Sequence, residues 1–424
     1  PNISMRYVTC NNRIYRWPDR PVVVICLDGS EPGYPLADRG GYIDRAIENG
    51  QMPYLASLKS HGVFRTADAT IPSFTNPNNI SIVTGTPPVV HGISGNFFYD
   101  LGSDAEVMMN DPAFLRVGTI FKAFQDQGAR IAIITAKDKL RRMLGHELDF
   151  EQGSAICFSA EKCQLTTRNE NGIDDAGQLT DLPPPDVYSG ALSEYVFSAG
   201  LTLLDTWSPD ILYLSTSDYI QHKHGPGTPA ADAFYGMIDR HLLEMQAHDA
   251  VIAVTADHGM KAKHDSAGQP NIVYLKPLIN ELLPSDRFRI ILPITDPYVV
   301  HHGALGGFAT IYLADPADVQ PVCHKLSAQK GVELVLEAPI ACEKFALPPD
   351  RVGHIVVISS SEWVLGHSQQ YHDLSALSEP LRSHGGLSEQ RVPFILNYPA
   401  PLLVASTTLR NYDIFDAALN HTTD

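Results

Sequence analysis

A chain of 424 residues, 44% hydrophobic and 19% charged, has material for a large folded core, and its length suggests two or three domains. A formal net charge of −17 argues against nucleic acid or an anionic membrane as partner, and no apolar run is long enough to predict a membrane span. The N-terminal stretch PNISMRYVTCNNR lacks an apolar signal region. Six cysteines without C-x-x-C spacing fit reduced thiols in a cytoplasm better than a disulfide framework.

Residues 21–27, PVVVICL, are an apolar, β-branched run of strand length, followed at once by Asp28-Gly29. Helical periodicity over 42–60 breaks around Gly50 and Pro53, predicting two short helices. Residues 69–96 open as a loop rich in Pro, Asn, Ser and Thr. Asn76 as N-cap and Pro77 as first helical residue then place Thr75 just before a helix N-terminus, where backbone N–H groups face an anion. Residues 111–128 read as one amphipathic helix, with Val117, Ile120, Phe121 and Phe124 on one face. The strand RIAIIT (130–135) comes next, and Lys137 and Lys139 leave its end, a pair that a solvated turn explains as well as a ligand does.

Residues 153–186, with the breaker clusters NENGIDDAG and LPPPD, predict a loop excursion over the sheet. A helix over 187–207 and a strand DILYLST (210–216) lead to Asp218 and His222, which share a face if they lie on one helical turn. A helix over 229–247 then runs into AVIAVTADHGMK (250–261), a buried strand ending in Asp257-His258-Gly259. Residues 264–375 have a different texture, with short strands GGFATIYLA, VELVLEA and HIVVISS around a helix-like 316–330. They read as an inserted α+β cap over the active face, leaving 1–263 and 376–424 as the core. The chain returns at Ser383-His384-Gly385-Gly386, with a last core strand over 392–399 and a closing helix over 411–419. The predicted class is α/β, a mostly parallel central sheet flanked by helices, plus the smaller cap.

Ligands of open parallel sheets bind outside the C-terminal strand ends. Collected there are Asp28, Thr75, Asp218, His222, Asp257, His258 and His384, from five places in the chain. Any one is unremarkable: an Asp-His pair caps helices, and an i,i+4 Asp/His is an ordinary surface pair. Together the three Asp and three His divide into two sites of three ligands, each with an exchangeable position, and carboxylate plus imidazole suits zinc, with manganese or iron still open. Two metals about 4 Å apart can clamp both the attacking and the departing group at phosphorus. A threonine hydroxyl, a poor nucleophile at neutral pH, becomes accessible as alkoxide beside a metal. An anionic substrate, repelled by the overall charge, would need metals and a few lysines for local attraction.

L-D-G (27–29), T-N-P-N-N-I-S-I-V-T-G (75–85), D-Y-I-Q-H (218–222), A-D-H-G-M (256–260) and S-H-G-G (383–386) resemble, in this order, the alkaline phosphatase superfamily. Within it they are similar to the nucleotide pyrophosphatase/phosphodiesterase-like branch, over residues 21 to 400 except the cap. P-S-F-T-N-P-N-N, H-G-I-S-G-N-F-F (91–98), T-A-K-D-K-L-R (135–141) and D-Y-I-Q-H-K-H (218–224) look like bacterial members that hydrolyse the carbon–phosphorus bond of a small anionic organophosphonate. The resemblance implies two Zn2+, one held by Asp28, Thr75, Asp257 and His258, the other by Asp218, His222 and His384. It further implies Thr75 as nucleophile through a phosphothreonine, Asn96 on a phosphonate oxygen, and Lys137 and Lys139 on the substrate's anionic groups. The stretch EPGYPLADRGG after Asp28 departs from the family and bears on the shape of the entrance.

Two other readings stay open. A nucleotide or alkyl phosphodiesterase would want an aromatic slot, for which Phe74, Phe97, Phe98 and Tyr99 are candidates; a metal-stabilised phosphonate-binding protein would need no nucleophile. His224 is the unassigned histidine nearest the ligands in sequence, and His301-His302 are less favoured candidates to reach substrate from the cap. The oligomeric state is open, a homodimer included.

Overall fold

Residues 22–26, VVVIC, are buried at every position, as a strand covered on both faces must be. In the computed structural model, which describes residues 4–33, 40–294, 305–403 and 408–422, this strand, β1 (Val22–Cys26), is the middle of a seven-stranded sheet. The others are β2 (Val63–Asp68), β3 (Ile131–Thr135), β4 (Ala155–Ser159), β5 (Ile211–Ser215), β6 (Val251–Thr255) and a last strand, Arg391–Leu396. β6, β1, β5, β3 and β4 run parallel in that spatial order, the last strand pairs antiparallel with β6, and β2 closes the edge antiparallel to it.

Alternation along the strands sends side chains to two cores. Val22, Val24 and Cys26 pack on one face with Ile80, Ile82 and Val83 of α3 (Thr75–Thr84). Val23, Ile25 and Leu27 pack on the other with α1 (Tyr42–Glu48), α2 (Pro53–His61), α5 (Ala191–Thr206) and α6 (Pro229–Gln246). The two helices predicted over 42–60 are α1 and α2.

Register places the site. Thr255 pairs with Cys26, Cys26 with Ser215, Ser215 with Thr135, and Thr135 with Ser159, so five parallel strands end level. Whatever follows them by two or three residues leaves from one edge.

Three expectations differ from the structure. The span 153–186 is not simply a loop: SAICFSA supplies β4, buried throughout, with a short helical turn (Arg168–Asn171) held to it by Asn171 Nδ2 donating to the Cys157 carbonyl at 2.9 Å. The helix over 111–128 is only α4 (Ile120–Asp126), because Thr119 Oγ1 accepts from Lys122 N at 3.1 Å and caps it there. Thr75 is the first residue of α3 rather than the one before it, since Asn76 is drawn away to the Met109 carbonyl (2.9 Å) instead of capping.

Within residues 264–375 an antiparallel four-stranded sheet joins Phe288–Ile291, Phe308–Leu313, Ile355–Ser359 and Val332–Glu337 in that spatial order, backed by the helix Val319–Ser327 and its own apolar cluster. A second cluster, with Phe74, Phe308 and Ile358, ties this sheet to the loop before Thr75. Among the described residues no helix is long and apolar enough to cross a membrane. The six cysteines are free thiols.

Gly172 sits at φ +76°, and a Cβ there would lie 1.9 Å from the Ala155 carbonyl oxygen. Gly172→Ala is expected to destabilise the fold by about 2–4 kcal/mol, from left-handed strain and the forced shift of β4. Chemical denaturation of the two proteins checks this; an unchanged midpoint would contradict the placement of β4.

Candidate active site

Each parallel strand delivers one group to the common edge: Asp28 from β1, Lys137 from β3, Glu161 from β4, Asp218 from β5, and Asp257-His258 from β6. The loop ahead of the last strand adds His384, and α3 adds Thr75. Gly29, at φ +73°, makes the turn after β1 and lets it pass close to the helical turn Tyr219–Lys223; a Cβ at 29 would be 3.1 Å from Asp218 Cβ.

The ligand atoms of Asp28, Asp218 and His258 lie within 4.8 Å of one another, as do those of Asp218, His222 and His384. Asp218 belongs to both groups: its Oδ2 is 3.0 Å from His222 Nε2, 3.8 Å from His384 Nε2 and 3.9 Å from His258 Nε2. His258 Nε2 is also 2.9 Å from Asp28 Oδ1, 3.5 Å from Asp257 Oδ2 and 3.4 Å from Thr75 Oγ1. The structure thus gathers all seven residues singled out in the sequence.

The donor set fits metal ions. Every histidine of the group uses Nδ1 on a backbone carbonyl, His222 on Arg382 (2.9 Å), His258 on Gly259 (2.7 Å) and His384 on Ser73 (2.8 Å). Such bonds leave Nε2 turned to the centre, the arrangement by which metal-binding imidazoles are oriented. Asp257 Oδ1 accepts from Gly29 N and His258 N, while Asp257 Oδ2 is a buried carboxylate oxygen with no hydrogen-bond partner and the buried Asp28 Oδ1 is paired with His258 Nε2. Buried acceptors of that kind call for a cation.

The protein alone is electrostatically strained here. Burial, then Asp218 and Asp257, push the Asp28 carboxyl well up. Burial disfavours charge on His258, yet Asp257 and Asp28 overcome this and raise it to about 10. Asp218 is held down by His222 and Lys137 against its own burial, and His384 falls well below the usual imidazole range through burial and the facing His258. The His258 and His384 rings stack 3.4 Å apart.

Above the ligands is a cavity of about 160 Å³, lined by Asp28, Thr75, Asn96, Asp218, His222 and His384 together with Lys137, Lys139, Glu161 and Tyr188. Asn96 Oδ1 accepts from Asn76 N at 3.2 Å, which orients its amide, and Asn79 holds the Thr75 carbonyl at 3.0 Å. Burial, with the neighbouring Lys137, holds Lys139 below the ordinary lysine value, Glu161 working the other way. Glu161 and Tyr188 were not found from sequence. Glu161 follows a strand that breaker-rich flanks concealed, and Tyr188 stands in the Pro-rich stretch beyond it.

Among the described residues none from 264–375 lines this cavity; the small sheet abuts the site's other side through Phe74, which meets Phe308 and His384 edge-on. His301 and His302, and 34–39 of the stretch after Asp28, lie outside the described residues. His224 accepts from Tyr42 Oη through its carbonyl at 2.5 Å and does not line the cavity. His91, fully buried against Ser81 and pushed down to about 3 by desolvation, is a core histidine.

The sequence matches the family described as type I phosphodiesterase / nucleotide pyrophosphatase over residues 22–387. The chain belongs to that family. A yeast (Saccharomyces cerevisiae) ectonucleotide pyrophosphatase/phosphodiesterase 1 is 24% identical over 333 residues, which are 72% of this chain and 40% of the yeast protein. The crystal structure of phosphonoacetate hydrolase from Sinorhizobium meliloti 1021 in complex with phosphonoacetate is similar at a TM-score of 0.94 and 53% identity, over 99% of this chain and 100% of that one. Murine ectonucleotide pyrophosphatase / phosphodiesterase 5 shares the fold, at a TM-score of 0.61 and 16% identity over 96% of this chain and 98% of that one.

Zinc added to metal-free protein is expected to raise its stability by about 2.7 kcal/mol per bound ion at a hundredfold excess over Kd. Asp28→Asn and His384→Ala, one in each group of ligands, should each lose about one ion's share of that gain. Thermal melts with and without zinc check it; equal gains in wild type and both variants would contradict the assignment.

Proposed function

We propose that this chain is a phosphonoacetate hydrolase, splitting the carbon–phosphorus bond of phosphonoacetate to acetate and phosphate with two zinc ions bound. One observation carries the reading: Thr75, the imidazole–carboxylate cluster and two lysines share one cavity of about 160 Å³, room for a small dianion. The 53% identity to a phosphonoacetate hydrolase over nearly the whole chain supports it.

Asp28, Thr75, Asp257 and His258 would hold one ion and Asp218, His222 and His384 the other. Bound there, the ions supply the positive charge that stabilises a threonine alkoxide and offsets the charge of the phosphonate in flight. Thr75 Oγ attacks phosphorus, the P–C bond breaks, and its electron pair passes to the departing CH2–CO2 unit as an enolate-like dianion. That species is the hardest to form, so donors aimed at it matter most. Lys137 and Lys139 stand where they can pair with the substrate carboxylate, and Asn96 where its amide can donate to a phosphonate oxygen. Protonation of the leaving unit gives acetate. Water then hydrolyses the phosphothreonine, releasing phosphate and restoring Thr75.

The aromatic slot of a phosphodiesterase finds little support. Phe74 is core, Phe98 packs on Phe114, Tyr99 on Tyr312, and none of these, nor Phe97, lines the cavity. Phosphate release from phosphonoacetate, set against hydrolysis of a p-nitrophenyl phosphodiester, decides between the two. Thr75→Ala that still binds phosphonoacetate but releases nothing would also dispose of a pure binding protein.

Lys137→Ala/Lys139→Ala is expected to cost about 2–4 kcal/mol of kcat/KM with phosphonoacetate, by analogy with removal of an oxyanion donor; normal turnover would remove both assignments. The pH profile follows from the lowered Lys139. Its ammonium form binds the carboxylate, so kcat/KM should fall as pH rises through a value below the usual 10.5 of lysine. Lys139→Arg should move that alkaline limb upward.

A further inference from the structure

Four charged side chains outside the ligand set lie packed beneath it. Lys263 and Glu389 have no exposed surface, Glu31 is 5% exposed, and the Lys261 side chain 13%. Glu31 Oε2 is 2.9 Å from Lys261 Nζ, and Glu389 Oε2 is 3.0 Å from Lys263 Nζ. Desolvating ions is costly and a buried pair is weak evidence for stability, so its use is to be sought in what it fixes.

What it fixes is peptide groups next to two imidazoles. Glu31 Oε2 also accepts from Met260 N at 3.3 Å, and it reaches there only because residue 259 is glycine: a Cβ would stand 2.1 Å from that oxygen. The Gly259 carbonyl receives His258 Nδ1, and Gly259 N donates to the Glu389 carbonyl at 2.7 Å. On the other side Glu389 Oε1 accepts from Gly386 N at 3.3 Å. Ser73 Oγ donates to the Gly386 carbonyl at 2.8 Å and accepts from Gly385 N at 3.1 Å, and the Ser73 carbonyl holds His384 Nδ1. The three loops that carry Asp28, Asp257-His258 and His384 are therefore joined below the site by charge.

We infer that Glu31, Lys261, Lys263 and Glu389 are positioning residues, which set the planes of the stacked His258 and His384 rings so that both Nε2 atoms meet incoming metal. The inference rests on the reading of those two histidines as metal ligands. Removing charge from the Glu31–Lys261 pair should loosen the ligand set without unfolding the sheet above it.

The test compares wild type with Glu31→Gln, Lys261→Met and the charge-keeping Lys261→Arg. Zinc affinity is measured by competition with a chromophoric chelator, and melting temperature on the metal-free proteins. Glu31→Gln and Lys261→Met are expected to bind zinc about 10–100-fold more weakly, as when an outer partner of a metal ligand is lost. Their metal-free melting temperatures should stay within a few degrees of wild type, Lys261→Arg should keep wild-type affinity, and saturating zinc should restore phosphate release. Unchanged affinity in both neutral variants overturns the inference, as does weakened binding that only tracks a large fall in metal-free melting. Should Glu31→Gln not fold, the Lys261→Met and Lys261→Arg pair decides alone. A wild type that binds no zinc would sink the metal-site reading itself, a different failure from normal zinc binding in every variant.

Discussion

Three carboxylates, Asp28, Asp218 and Asp257, are buried together at the end of a sheet whose strands stop level with one another. Two like charges at the separations seen here repel by about 3–4 kcal/mol even at an effective dielectric of about 20. Protein groups answer only part of this. His222 and Lys137 hold Asp218 ionised, while Asp28 is driven toward its neutral form and Asp257 Oδ2 is left without a hydrogen-bond partner. Divalent cations remove the conflict, and the fold makes sense as a frame that keeps these acids together until such cations arrive.

Cations held by that cluster, with two lysines beside it, would explain how an acidic chain attracts an anion. The formal charge of −17 is spread over the whole sequence, whereas the cavity wall facing Thr75 carries Lys137 and Lys139. At physiological ionic strength distant charges are screened over about 8 Å, so the local pair and the cluster below dominate what a small ligand meets. A cavity of about 160 Å³ has room for a ligand as small as phosphonoacetate.

Much of this was legible in the sequence, because the core strands are short apolar runs each followed by a residue with chemistry. PVVVICL-Asp28, DILYLST with Asp218 and AVIAVT with Asp257 read correctly because buried parallel strands need no alternation. SAICFSA has the same character, but the glycine- and proline-rich segments around it hid β4, and Glu161 with it. The edge strand β2, VFRTAD, was missed for a different reason: only Ala67 is buried, so it has no apolar signature. The short α4 and the first turn of α3 turn on which side chain captures which backbone N–H, and periodicity does not encode that. Nor does any local pattern tell that Ser73 holds His384, or that Glu31 reaches under Gly259; these are products of tertiary approach between segments more than 200 residues apart.

Two cations are expected where these side chains converge, next to Thr75. Crystals grown with zinc and measured on both sides of its absorption edge test it most directly. The account predicts two anomalous peaks, one among Asp218, His222 and His384 and one among Asp28, Asp257, His258 and Thr75. A single peak, or zinc bound elsewhere with this cluster empty, would contradict it.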